Sequence, residues 1–247
     1  VDTEAIGSGL DGLDALLGGG IERGTITIVS GPTGVGKTTT ATLFAQAAAQ
    51  RGERAAIYMF EESPATFRQR SSALGIPVED LEASEDLHVQ EVEPLTRSAE
   101  EFAQMVREQV EQRDTEVVVL DGINGYKLSI EGDEEPLIRK LHALGRYLKN
   151  MGVTVIFVDE VDTVTGSFQA TNVGISYLAD NVLFLRHVEL DGRLRKVIGV
   201  LKKRVSDFES TLREFELAEG EISVGEPMTD VRGLLRGTPE RIGDRGE

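Results

Sequence analysis

The sequence contains no cysteine, which closes disulfide and thiolate-metal chemistry and makes the cytoplasm the expected compartment. Histidine is scarce as well: His88, His142 and His187 stand far apart and match no metal-ligand spacing. No apolar run approaches the roughly 20 residues needed to span a bilayer, and no signal peptide is visible, so no membrane partner is expected. Positive charge is short, with 26 basic residues against 43 acidic ones and a net charge of −17. Such a surface repels phosphate backbones at long range, which disfavours nucleic acid as a partner unless a local basic loop overrides it. Only seven of the 26 basic residues are lysine. Excess carboxylate with so little lysine is the pattern expected of a chain adapted to high salt, where screening removes the mutual repulsion. Val1 opens the chain without a methionine, as expected of a domain cut from a longer protein.

What is present suffices for one large core: 247 residues, 40% of them hydrophobic. Residues 25–30 (TITIVS) form a β-branched run before a glycine, and the alanine-rich stretch 37–50 reads as a helix. Residues 56–60 (AIYMF), 117–120 (VVVL) and 154–158 (TVIFV) read as further strands. Residues 63–74, opened by Ser-Pro, 98–112 and 134–150 read as helices between them. This alternation predicts an α/β domain with a parallel central sheet and helices on both faces. After residue 180 the pattern changes to strand-like stretches at 181–189, 193–200 and 212–218, with Asp191-Gly192 as a hairpin signal. These predict an antiparallel C-terminal extension of the sheet. No internal repeat or linker is visible. The domain is expected to span 1–235, with 236–247 as a flexible tail.

The stretch Gly31-Pro-Thr33-Gly34-Val35-Gly36-Lys37-Thr38 has the spacing G-x-x-x-x-G-K-[ST], after a strand and before a helix. The chemistry needs these types. Glycines let backbone N–H groups turn inward around phosphates, and the helix N-terminus adds partial positive charge. Lys37 can reach the β- and γ-phosphates, and the Thr38 hydroxyl can ligate Mg2+. Thr33 to Thr39 are therefore the expected cradle for ATP, with Mg2+ as its cofactor.

Hydrolysis also needs a carboxylate on the magnesium side and a residue that positions the nucleophile. Asp121 follows VVVL, Asp159-Glu160 follows VIFV, and Glu61-Glu62 follows AIYMF. All fall at strand carboxyl ends, where open parallel sheets bind ligands. Asp159-Glu160 resembles the Asp-Glu pair of AAA+ ATPases, in which one strand supplies both metal ligand and base. The competing scheme takes the base from Glu61 and the metal carboxylate from Asp121, and the tandem Glu61-Glu62 favours it.

With these residues in place, the chain resembles the KaiC-like branch of the RecA superfamily over nearly its whole length. The resemblance rests on Gly7-Ser-Gly-Leu-Asp11-Gly-Leu-Asp14 before the phosphate loop, Phe60-Glu61-Glu62-Ser63-Pro64, and Val118-Val-Leu-Asp121. It continues through Ile175-Ser-Tyr-Leu-Ala-Asp180-Asn, Gly199-Val-Leu-Lys202-Lys203-Arg204, Arg213-Glu-Phe-Glu216, Gly225-Glu-Pro227 and the ending from Gly233. The resemblance implies a RecA-type fold, Glu61 as catalytic base supported by Glu62, and Asp121 with Thr38 as magnesium ligands. It further implies a homo-oligomer, a hexameric ring with ATP between subunits, acting as a switch on a regulatory protein partner. Lys202 and Arg204, with Lys203 and Ser206 beside them, would then reach the nucleotide of the adjacent subunit. Val205 and Phe208 depart from the glycine and histidine common there. In the clock member of the family one domain phosphorylates an adjacent serine and threonine. Here Ser176 retains the serine and Tyr177 replaces the threonine, so Ser176 is a candidate phosphoacceptor, or simply the start of a helix at the subunit seam. Two rivals stay open. A DNA-acting recombinase or helicase would need a basic or aromatic loop, whereas 163–174 has no positive charge and one phenylalanine. An assembly scaffold would bind ATP with little turnover.

Overall fold

The computed structural model describes residues 4–93, 96–122, 134–161, 177–236 and 239–242. Its centre is a nine-stranded sheet. In chain order the strands and helices are β1 (Ala5–Ile6), α1 (Asp11–Leu16), β2 (Ile21–Glu22), β3 (Ile26–Gly31), α2 (Lys37–Gln50), β4 (Arg54–Met59), α3 (Pro64–Ala73), α4 (Val78–Ala83) and β5 (Leu87–Glu91). There follow α5 (Ala99–Arg113), β6 (Thr115–Asp121), α6 (Glu134–Asn150), β7 (Thr154–Glu160), β8 (Asn181–Leu190), β9 (Arg193–Lys203), β10 (Arg213–Ala218), β11 (Glu221–Pro227), β12 (Val231–Arg232) and β13 (Glu240–Arg241).

The sheet order is β11-β10-β9-β8-β3-β7-β6-β4-β5. From β8 to β5 every pairing is parallel, and β8 to β11 pair antiparallel. The expected parallel sheet with an antiparallel extension is the observed fold. Successive residues of each central strand serve opposite faces, as a pleated strand requires. Val29, Ile57, Val119, Ile156 and Leu183 join Phe44, Phe67 and α1 on one face. Ile28, Tyr58, Val118, Phe157 and Val182 join Phe102, Val106, Leu144 and Leu148 on the other. Helix α2 lies against the middle of the sheet, so nearly every side chain is buried and small residues, alanine and threonine, predominate along it.

Local signals set the helix ends. The Ser63 hydroxyl accepts from Thr66 N, with Pro64 in the first turn. Ser98 and Glu101 form a reciprocal capping box on α5. Several elements exceed the sequence expectation: the short β1, α1 and β2 before the phosphate loop, α4, the small β12–β13 pair, and the sheet strands β5 and β11. Strands β5 and β11 are the edges of the central sheet, with polar residues along one side, which blurs the apolar alternation. Within the stretch expected as a tail, Glu240–Arg241 pairs with Val231–Arg232, and Arg241 bridges Asp191 and Asp230.

Candidate active site

Strand β3 delivers the phosphate loop at its carboxyl end, and α2 begins at Lys37. Gly36 caps that helix at φ +108°, and a Cβ there would stand 2.5 Å from Phe215 Cε1. Glycine is needed at that point for both conformation and space. The Lys37 ammonium donates to Pro32 O at 2.6 Å and is mostly buried. Burial pushes its pKa below the usual lysine range, while the carboxylates of Glu160, Asp121, Glu61 and Asp159 pull it back up. The carboxylates thus sustain the Lys37 charge, and a divalent cation among them would offset their repulsion of a phosphate. Val35 is buried completely, so it contributes only backbone to the loop.

The sheet register gathers the acidic residues. Met59 pairs with Asp121, Asp121 with Val158, and Gly31 with Glu160. The Thr38 hydroxyl donates to Asp121 Oδ2 at 2.8 Å. Burial raises the Asp121 carboxyl to about 6; the Thr38 hydrogen bond lowers it, Glu62 and Glu61 raise it, and Arg70 lowers it. Two adjacent hard oxygens at the mouth of a phosphate loop are donors that suit a small divalent cation. Glu61 packs over Gly122, whose Cβ position lies 3.1 Å from the Glu61 carboxyl carbon. Glu62 turns to α3 and pairs with Arg70 at 2.5 Å. Asp159 is wholly buried, and Glu160 Oε1 accepts from the Thr33 hydroxyl at 2.6 Å.

A cavity of about 360 Å3 opens along Gly34, Gly36, Lys37, Thr38 and Thr39. Arg70, Leu217 and Lys196 complete its wall. Arg70 and Lys196 were not expected from the sequence. The only signal for Arg70 is a cation eight residues beyond Glu62, two turns along the helix that Ser63 starts. Lys196 carries none, because its place depends on β9 pairing with β8.

Lys202, Lys203, Arg204 and Ser206 lie elsewhere. Lys203 pairs with Asn181 and Lys202 with Val182, whereas Lys196 pairs with His187. Strand β8 runs parallel to β3, with Asn181 beside Thr27 and Phe184 beside Ser30. Lys196 therefore sits at the phosphate-loop end of the sheet, whereas Lys202, six residues or about 20 Å along β9, is level with Ile28, and Arg204 reaches the end where β3 begins. Arg204 donates its backbone N–H to Asp180 O, and its guanidinium lies 3.8 Å from the Asp180 carboxylate. Burial and the Arg204 charge lower the Lys202 pKa, against Asp180. The Lys203 ammonium does not face a nucleotide cleft: it is buried inside its own chain with Glu22 and Ser206. Ser176 and the loop 163–174 lie outside the described residues.

Among the described residues no helix is long and apolar enough to cross a membrane. A family model for the KaiC ATPase matches residues 6–229. The circadian clock oscillator protein KaiC of Picosynechococcus sp. is 27% identical over 96% of this chain and 46% of its own length. That of Thermostichus vulcanus is 27% identical over 96% of this chain and 45% of its own. The circadian clock protein KaiC3 of Synechocystis sp. is 29% identical over 95% of this chain and 46% of its own. The chain thus spans about half the length of the curated relatives it matches. With a phosphate loop, an apposed Thr38–Asp121 pair and a match over nearly its whole length, the chain belongs to the KaiC ATPase family.

Proposed function

We propose that this domain hydrolyses ATP between the subunits of a cytoplasmic homo-oligomeric ring, a hexamer, and so switches the binding of a regulatory protein. The observation that carries the reading is the 2.8 Å contact of Thr38 Oγ1 with Asp121 Oδ2 beside Lys37, with Glu61 packed next to Asp121 over Gly122. Mg-ATP, when bound, supplies the electrophilic γ-phosphorus. Lys37 and the loop amides hold the phosphates, while Thr38 and Asp121 hold the magnesium. Glu61 aligns water and accepts its proton at the carboxylate, and Glu62, anchored by Arg70, supports it. Lys196 acts within its own subunit. Lys202, level with Ile28 through Val182, and Arg204, bonded to Asp180, lie toward the start of β3 and away from the cavity that Lys37 and Lys196 line, so the nucleotide they reach is a neighbouring copy's. There they would stabilise charge on the transferring phosphoryl group. Autophosphorylation at Ser176 is a further expectation, tested by phosphopeptide mapping after incubation with ATP.

The test mixes two inactive variants. A Glu61→Gln subunit keeps a working Arg204, and an Arg204→Ala subunit keeps a working Glu61. In a randomly mixed ring about a quarter of interfaces join an intact Glu61 to an intact Arg204, so roughly a quarter of wild-type phosphate release should return. No recovery despite proven co-assembly would overturn the trans role.

A further inference from the structure

At the end of β9 farthest from its own phosphate loop, a lysine is buried against a glutamate. The Lys203 and Glu22 side chains are 1% and 3% exposed, with the ammonium 2.9 Å from Glu22 Oε1. The ammonium also donates to Leu17 O at 2.7 Å and to the Ser206 hydroxyl. Ser206 in turn donates to Glu22 Oε1 at 2.5 Å. Four points are thereby tied together: the turn after α1, strand β2, the last residue of β9, and the loop beyond it. The same loop is held at two more places. Glu209 N donates to Leu16 O, and Asp207 O lies where a Cβ on Gly18 would stand, 2.5 Å away.

Stability is a poor reason for this arrangement. A buried ion pair seldom outweighs the desolvation of its two charges, and apolar residues of similar volume often serve as well or better. The pair here is not even complete, since Glu22 Oε2 is buried without a hydrogen-bond partner among the described residues. Burial pushes the Glu22 carboxyl up, yet the bonds from Ser206 and Lys203 outweigh it and hold its pKa below the usual range. What the pair does supply is direction. Side chains alternate along a strand, so Lys203 turning inward sends Lys202 and the following Arg204 to the other side. Arg204 is accordingly half exposed, with Val205 exposed beside it.

We propose that Lys203, Glu22 and Ser206 form a buried latch that positions Lys202 and Arg204 for the nucleotide of the adjacent subunit. They are positioning residues acting through Arg204, and the proposal rests on the trans reading above. Removing the latch should therefore matter only in the subunit that donates the arginine. It should add nothing where Arg204 is already absent.

The experiment places the latch changes in one partner of the mixed ring at a time. Lys203→Met alone leaves Glu22 buried and unpaired, and that variant is expected to unfold easily. The apolar double change Lys203→Met/Glu22→Leu avoids the stranded charge and should keep cooperative thermal unfolding. Put into the Glu61→Gln subunit and mixed with Arg204→Ala subunits, it should cut the recovered phosphate release about tenfold. Put instead into the Arg204→Ala subunit, it should leave the recovery within about twofold of the parent mixture. Ser206→Ala, which spares the ion pair, should act in the same subunit only, with a several-fold loss. Native mass of the mixtures confirms equal co-assembly. Equal loss in both placements, or none in either, would overturn the latch. Absence of recovery in the parent mixture itself would instead remove the trans reading, and the latch with it.

Discussion

Asp121 concentrates the electrostatic cost of this site. Burial lifts its carboxyl from 3.8 to about 6, helped by Glu62 and Glu61 and opposed by Thr38 and Arg70. A carboxyl whose folded pKa is raised binds a proton that the unfolded chain lacks between those two values. The nucleotide-free protein is therefore penalised fully above about pH 6, and the penalty vanishes below pH 3.8. Asp121→Asn should raise the nucleotide-free melting temperature at pH 7.5 by a few degrees, and the gain should close by pH 4. The same variant should lose most of the stabilisation that Mg-ATP gives the wild type. Scanning calorimetry with and without Mg-ATP at both pH values reads each effect. Residue by residue, the phosphate loop and the strand-end acids were legible because each depends on a local pattern: an apolar run, then a turn or a carboxylate. The fate of Lys203 was not. Consecutive lysines on a strand look alike in sequence, and only Glu22, far away along the chain, decides which one goes inside.

At the scale of elements, the junction of β3 and α2 is the most demanding part of the fold. Gly36 holds φ +108° with the Phe215 ring of β10 where a side chain would begin. Gly36→Ala should cost about 2 kcal/mol or more from the left-handed backbone and the displaced ring together. Mg-ATP affinity should fall with it, because the loop amides shift; equilibrium dialysis and urea unfolding measure the two. Strand–helix alternation made the core sheet readable, since each central strand is apolar on both faces. Edge strands lack that signature. In β11 the residues Glu221, Gly225 and Glu226 interrupt the apolar positions, and the strand is recognised only through its pairing with β10. The cleft residue Lys196 shares this limit, being placed by the β8–β9 register and not by any motif.

On the scale of the whole molecule, β9 links two ends of the sheet. Lys196 lines the cavity at one end, and Arg204, beyond Lys202, leaves the other. If each nucleotide is shared, Mg-ATP should convert small species into a six-membered ring. Multi-angle light scattering across nucleotide and salt checks this. The series must include molar salt, because a net charge of −17 per subunit opposes assembly unless screened. A monomer under every condition would contradict the shared site. The most direct test of the central claim concerns which carboxylate is the base, since Glu61 and Glu160 both act on Lys37. Steady-state phosphate release should be compared for wild type, Glu61→Gln and Glu160→Gln, with ATP binding measured in parallel. The expected result is intact binding in both variants, a loss of about a hundredfold or more for Glu61→Gln, and a much smaller loss for Glu160→Gln. The reverse order would contradict the account, making Glu160 the base and leaving Glu61 with a supporting part.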